Sequence, residues 1–131
     1  NSDVAAWNEM AEIKSHKDLE VWQLAMKVAA DCYRSTTAFP RDEAFGQTAQ
    51  IRRSSVSIAA NIAEGYGRES TPSFIQFLRV AQGSQKELET HVMLSEIVGL
   101  LSGETAQKLL VDIERIGRML RNLIRSLEAR A

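Results

Sequence analysis

Residues 50–68 read QIRRSSVSIAANIAEGYGR. Set on a helix at about 100° per residue, Ile51, Ser55, Ile58 and Ile62 fall within about 60° of one another. Ala49, Val56, Ala59, Ala60 and Ala63 form a second surface of small residues beside them. Gln50, Arg53, Ser57, Asn61 and Glu64 fill the remaining arc as a polar stripe. A one-sided surface helix needs a single apolar stripe. Two such surfaces mean that this helix is sandwiched inside a bundle, or that its alanine side packs on a second subunit. The alanine side is expected to be the packing surface of an oligomer.

The polar stripe has two readings. Arg53 can pair with phosphate or carboxylate, with Gln50 and Asn61 adding paired hydrogen bonds. Alternatively, the stripe is a hydrogen-bond network between helices that fixes register or oligomer geometry. Serine and asparagine are mediocre helix formers, so local propensity did not select them. The structural or interface role is the stronger expectation.

Working outward, the same period recurs on both sides. Trp22, Ala25, Ala29, Cys32 or Tyr33, and Thr36 predict a helix over about residues 17–38, ended by Phe39-Pro40. The quoted helix is expected to start near Asp42, whose charge and that of Glu43 suit a helix N-terminus, and to stop at Gly65 or Gly67 as a left-handed cap. Ser70 or Thr71 followed by Pro72 opens a third helix, over about residues 72–101. Phe74, Leu78, Ala81, Leu88, Val92 and Ser95 hold its inner face, and Gly83 suggests a close helix–helix approach. Ser102-Gly103 marks the next break. Leu109, Ile113, Ile116, Leu120, Leu123 and Leu127 then alternate four and three apart, the seam of a fourth helix over about residues 104–129. No strand pattern occurs. The expected architecture is all-α: an antiparallel up-down-up-down four-helix bundle over residues 16–131, assembling into a homo-oligomer. Residues 1–15 form an extension, either flexible or a short helix with Val4, Trp7 and Ala11 on one face.

The 131 residues suffice for one core. A hydrophobic share of 44% with 25% charged residues is ordinary for a globular domain, and 6% aromatics makes the core aliphatic. The net charge of −1 predicts no strong bulk attraction to nucleic acid or membrane. Over residues 50–86, however, Arg52, Arg53, Arg68, Arg79 and Lys86 outnumber Glu64 and Glu69. Arg118, Arg121 and Arg125, with Arg115 nearby, oppose the leucine seam, as a solvated face or as a phosphate-tracking one. Cys32 is the sole cysteine and is expected to be a buried thiol in a reducing cytoplasm. No apolar run reaches the roughly 18 residues of a membrane span.

Catalytic signatures are lacking. A di-iron bundle needs Glu-x-x-His pairs, whereas Glu87 and His91 are four apart. Two histidines and one cysteine make a poor zinc set. Gly65-Tyr66-Gly67 follows no strand and is no phosphate loop. No cofactor, metal, small-molecule substrate or catalytic residue is expected.

The segments Leu19-Glu20-Val21-Trp22, Phe39-Pro40, Glu43-Ala44-Phe45-Gly46, Gln50-Ile51-Arg52-Arg53-Ser54-Ser55-Val56-Ser57-Ile58 and Asn61-Ile62-Ala63-Glu64-Gly65 together carry a family likeness. So do Phe77-Leu78-Arg79-Val80-Ala81, Gly83-Ser84 and Glu87-Leu88-Glu89-Thr90. The chain resembles, over about residues 16–128, a bacterial four-helix-bundle family encoded in intervening sequences of 23S ribosomal RNA genes and as free-standing genes. Ser54 departs from a frequent alanine, and Ala59 stands where proline is common, so a kink that the proline leads one to expect in relatives is not required here. The resemblance implies a homo-oligomer, a pentameric ring, and kinship with the accessory protein of diversity-generating retroelements, which binds nucleic acid and a reverse transcriptase. Two roles follow. One is association with RNA, DNA or a nucleoprotein, with phosphate contacts from Arg52, Arg53, Arg68, Arg79 and Lys86. The other is an oligomeric protein scaffold without nucleic acid.

Overall fold

The alternating four-and-three spacing of Leu109, Ile113, Ile116, Leu120, Leu123 and Leu127 puts all six on one side of a helix, and all six are buried. In the computed structural model, which describes residues 13–130, this is the last of four helices. They are α1 Glu20–Thr36, α2 Gln47–Gly67, α3 Thr71–Ile97 and α4 Gly103–Arg130. No strand occurs among the described residues. Each helix packs on the one before it and α4 returns onto α1, with no close backbone approach across either diagonal. All four contribute to one aliphatic core, which holds Val28, Ile58, Leu78, Leu88 and Leu120 fully buried. None of the described helices is long and apolar enough to cross a membrane.

Helix ends differ from the sequence expectation where a short-range bond overrides periodicity. The first helix starts at Glu20, not near Lys17. Residues 16–18 form a 3-10 turn in which Ser15 Oγ accepts from the Lys17 amide and Asp18 accepts from the Ser15 amide. Buried Leu19 is extended and separates turn from helix. Helix α2 starts at Gln47, five residues later than expected. Arg41–Glu43 form a second 3-10 turn, and Gly46 is non-helical at φ −103 and ψ −116. The Glu43 carboxylate accepts from the Gln47 amide at 3.1 Å, so this acid serves the N-terminus from outside the helix. Neither Gly65 nor Gly67 is a left-handed cap: both are helical, and Glu69 takes the left-handed conformation at φ 57.

Helix α3 starts as expected, with the Ser70 hydroxyl accepting from the Ser73 amide and Pro72 in the first turn. It ends earlier, at Ile97. Gly99, at φ 82, lets the Leu100 amide bond the Ser95 carbonyl at 2.8 Å and its own amide bond Glu96 at 3.1 Å. This pair of bonds is a Schellman closure. Ser102 then caps α4 by accepting from the Thr105 amide. Of the expected extension, Ile13 packs against the core and Ser15 caps the first turn. The face of Val4, Trp7 and Ala11 lies outside the described residues.

Leu120→Ala would leave a cavity in the fully buried seam. It should lower the unfolding free energy by about 2–5 kcal/mol in urea titration. An unchanged midpoint would contradict the seam.

Candidate interfaces: a polar seam and a basic groove

Helix α2 presents its smallest residues to α3. A Cβ on Gly65 would lie 2.6 Å from the Phe77 Cβ and 3.1 Å from a Phe74 ring carbon, closer than atoms can approach without movement. Glycine is therefore required by the approach of the two helices. Gly83, the glycine expected to serve this role, has nothing within 4 Å of its would-be Cβ. Buried Ser54 and Ser55 satisfy their hydroxyls on their own helix, at the Gln50 and Arg52 carbonyls. Ser54 lies on nearly the same side of α2 as Gly65, whereas Ser55 is turned to α1, where it meets Cys32.

The polar stripe runs along the edge of this contact. Ser57 and Ser84 share a hydrogen bond at 2.8 Å. The Asn61 amide donates to the Ser57 carbonyl and hydroxyl. Arg53 donates to Gln50 Oε1 and to Glu87 of α3. Ser95 donates to Gln47 Oε1 at 3.4 Å. Thus Gln50, Arg53, Ser57 and Asn61 are engaged within α2 and across to α3, whereas Glu64 lies outside the seam and pairs with Arg68 at 3.0 Å. His91 Nε2 stands 3.8 Å from Glu87, and its Nδ1 is buried without a partner among the described residues.

The small-residue face divides. Ala59 is 4% exposed and belongs to the subunit's own core, so it is withdrawn from any outer face. Val56 is 44% exposed and Ala60 is exposed, with Ala49 and Ala63 half-buried beside them. At one end of the subunit Phe45 (96% exposed) and Ile97 (79%) are also open. The Gln47–Ser95 bond ties these two chain segments together.

The five candidate cations do not share one surface. Arg52 bonds the Thr36 hydroxyl at 2.9 Å and lies 4.6 Å over the Tyr33 ring, at the α1–α2 contact. Arg53 is in the α2–α3 seam. Arg68 lies 5.2 Å from the Phe77 ring centre. Arg79 and Lys86 face the other way, into an open groove of about 700 Å³ between α3 and α4, where Arg118 and Arg121 meet them. Arg79 reaches Glu128 at 2.9 Å and Lys86 reaches Glu89 at 3.6 Å. Arg115, Arg118, Arg121 and Arg125 are exposed and form no ion pair among the described residues.

The residue that sequence reasoning passed over is Gln85. It is 2% exposed, lines this groove, and donates from Nε2 to the Ile113 carbonyl at 3.0 Å. Gly117 makes room for it, since a Cβ there would lie 3.0 Å from Nε2. The signal was present: Gln85 fills the gap between Ala81 and Leu88 in the otherwise apolar face of α3.

On the opposite side, Lys27 spans Asp112 at 2.8 Å and Asp31 at 3.1 Å, joining α1 to α4. The hydrogen bond it donates to Asp112, then the one it donates to Asp31, raises its pKa above the ordinary lysine value. Burial, helped by the charge of Asp31, pushes the Cys32 thiol up to about 12, against a smaller opposing effect of the Ser55 hydrogen bond. Among the described residues no group of three or more His, Cys, Asp or Glu is placed to hold a metal ion.

The sequence profile of the 23S rRNA-intervening sequence proteins matches residues 17–122. Among solved structures, the chain is similar to a protein of unknown function from the S23 ribosomal protein family of Bacteroides thetaiotaomicron. The two are 25% identical, the match covers 80% of this chain and 98% of that one, and the TM-score is 0.72. No curated protein matches.

A thiol held near 12 is protonated and unreactive at neutral pH. Cys32 should resist an aqueous thiol reagent at pH 8 in the folded protein and react fully in denaturant. Fast labelling of the folded form would contradict its burial.

Proposed function

The chain belongs to the 23S rRNA-intervening sequence protein family, and from that premise we propose a non-catalytic, homo-oligomeric module that associates with RNA, DNA or a nucleoprotein in the cytoplasm. Its subunit is an up-down-up-down antiparallel bundle. The pairs Gln47–Ser95, Arg53–Glu87, Ser57–Ser84 and Gly65–Phe77, which run in opposite order along α2 and α3, support that topology. The assembly is a pentamer, and the family's tie to the accessory protein of diversity-generating retroelements is part of the same reading.

The observation that carries association with nucleic acid is the row of arginines on α4 without ion pairs, set beside Arg79 and Lys86. Glu114 stands one turn before Arg118 and Glu128 one turn after Arg125, yet Glu128 pairs with Arg79 and neither acid pairs with an α4 arginine among the described residues, which leaves those guanidinium groups open to other anions. A ring of subunits multiplies a weak patch by the number of copies.

A second reading is a protein scaffold. It is favoured by the open apolar residues Phe45 and Ile97 at one end and by Val56 on the outer face of α2. Titration with RNA and DNA separates the two. The first reading expects binding at about 50 mM salt that weakens steeply by about 200 mM. No binding at the lower salt, together with recovery of one protein partner that survives nuclease treatment, would replace it with the second. Ala60→Glu, which puts charge on the exposed strip, should lower the mass seen in light scattering while helix content is kept. An unchanged mass would remove this face from the oligomer.

A further inference from the structure

The floor of the α3–α4 groove is more specific than its rim. Gln85 is almost wholly enclosed, and its amide is oriented by the carbonyl of Ile113. Only a donor can face a carbonyl, so Nε2 must point to Ile113 and Oε1 must point elsewhere. Oε1 accepts no hydrogen bond among the described residues. It is a fixed, unpaired acceptor lining a groove whose rim carries Arg79, Lys86, Arg118 and Arg121 against Glu89 and Glu114. Gly83 leaves open space between the two cationic rows, while the space beside Gly117 is taken by the Gln85 amide.

A rim of cations selects phosphates, and an unpaired acceptor open to the groove floor selects a hydroxyl or amine donor within the same ligand. No aromatic side chain lines the groove, so unstacked bases have no platform. An A-form helix offers both required groups on its outside: phosphates, and 2′-hydroxyls along a wide, shallow minor groove. Resting on the association reading above, we propose that this groove seats the backbone of double-helical RNA, with phosphates on Arg118, Arg121, Arg79 and Lys86 and a ribose 2′-hydroxyl donating to Gln85 Oε1. Arg79 and Lys86 are about 10 Å apart along α3, so they meet different phosphates. DNA of the same sequence retains the phosphate contacts and lacks the hydroxyl.

The test uses the intact protein with short RNA and DNA duplexes of identical sequence, titrated across salt. RNA should bind more tightly than DNA by about fivefold, the worth of one hydrogen bond. The double variant Arg118→Gln/Arg121→Gln should weaken both duplexes and make the salt slope shallower by about two. Gln85→Met should bring RNA binding down to the DNA level. Equal binding of RNA and DNA by the native protein overturns the hydroxyl contact. Full binding by the double arginine variant, with loss on Arg52→Gln or Arg68→Gln, moves the seat off the groove but leaves nucleic-acid association standing. Binding of neither duplex ends the association reading itself. Should Gln85→Met fail to fold, the RNA-to-DNA ratio of the native protein and the surface arginine variant still decide.

Discussion

The approach of α2 to α3 is the constraint on which the remaining structure depends. Gly65 lies where even a methyl group would collide with the base of Phe77. Helices this close need small residues along the whole contact, and Ser54, Ser57 and Ser84 supply them. Small side chains bury little apolar area, so the contact is reinforced at its edge by hydrogen bonds from Arg53, Ser57 and Ser95. Dispersion between well-packed atoms then stands in for the larger side chains used elsewhere. The aliphatic seam of α4 closes the other side of the core.

That arrangement decides which polar groups remain for other molecules. The polar stripe of α2 looks in isolation like a recognition surface, yet Arg53 and Ser57 are bonded to α3, and Gln50 and Asn61 are bonded to those two. Arg52 and Arg68 rest on aromatic rings and are shared with structural partners. The arginines of α4 sit opposite a seam that needs nothing from them. Between α3 and α4, Gly83 keeps the surface open, and Gln85 reaches the α4 backbone through the space that Gly117 leaves for it. A closely packed pair on one side and an open pair on the other thus arise from where glycine falls along each helix.

The sequence disclosed the apolar faces of all four helices, because burial repeats with the helical period and each residue votes on the same side. It also disclosed the Ser70-Pro72 start, a local signal with a local cause. Helix ends were less legible. Glycine marks both a left-handed closure and a close approach, and composition does not separate the two. Gly65 has the sequence setting of a cap and is a contact, Gly83 has that of a contact and faces open space, and Gly99 makes a left-handed closure. Choosing among such meanings takes the position of a neighbouring helix. The five cations of residues 50–86 are near one another in sequence. On helices that face different neighbours, that nearness does not carry over to the surface, and Gln85 went unnoticed because a polar residue in an apolar series reads as noise.

The most direct test compares urea unfolding of Gly65→Ala with that of Gly83→Ala. In a helix interior, alanine for glycine normally adds about 1 kcal/mol of stability. Gly83→Ala, with open space around it, should show that gain. Gly65→Ala should instead lose stability, because forcing α2 away from Phe77 costs about 1–3 kcal/mol. A rise of similar size in both variants would contradict the close packing from which the rest of the structure follows.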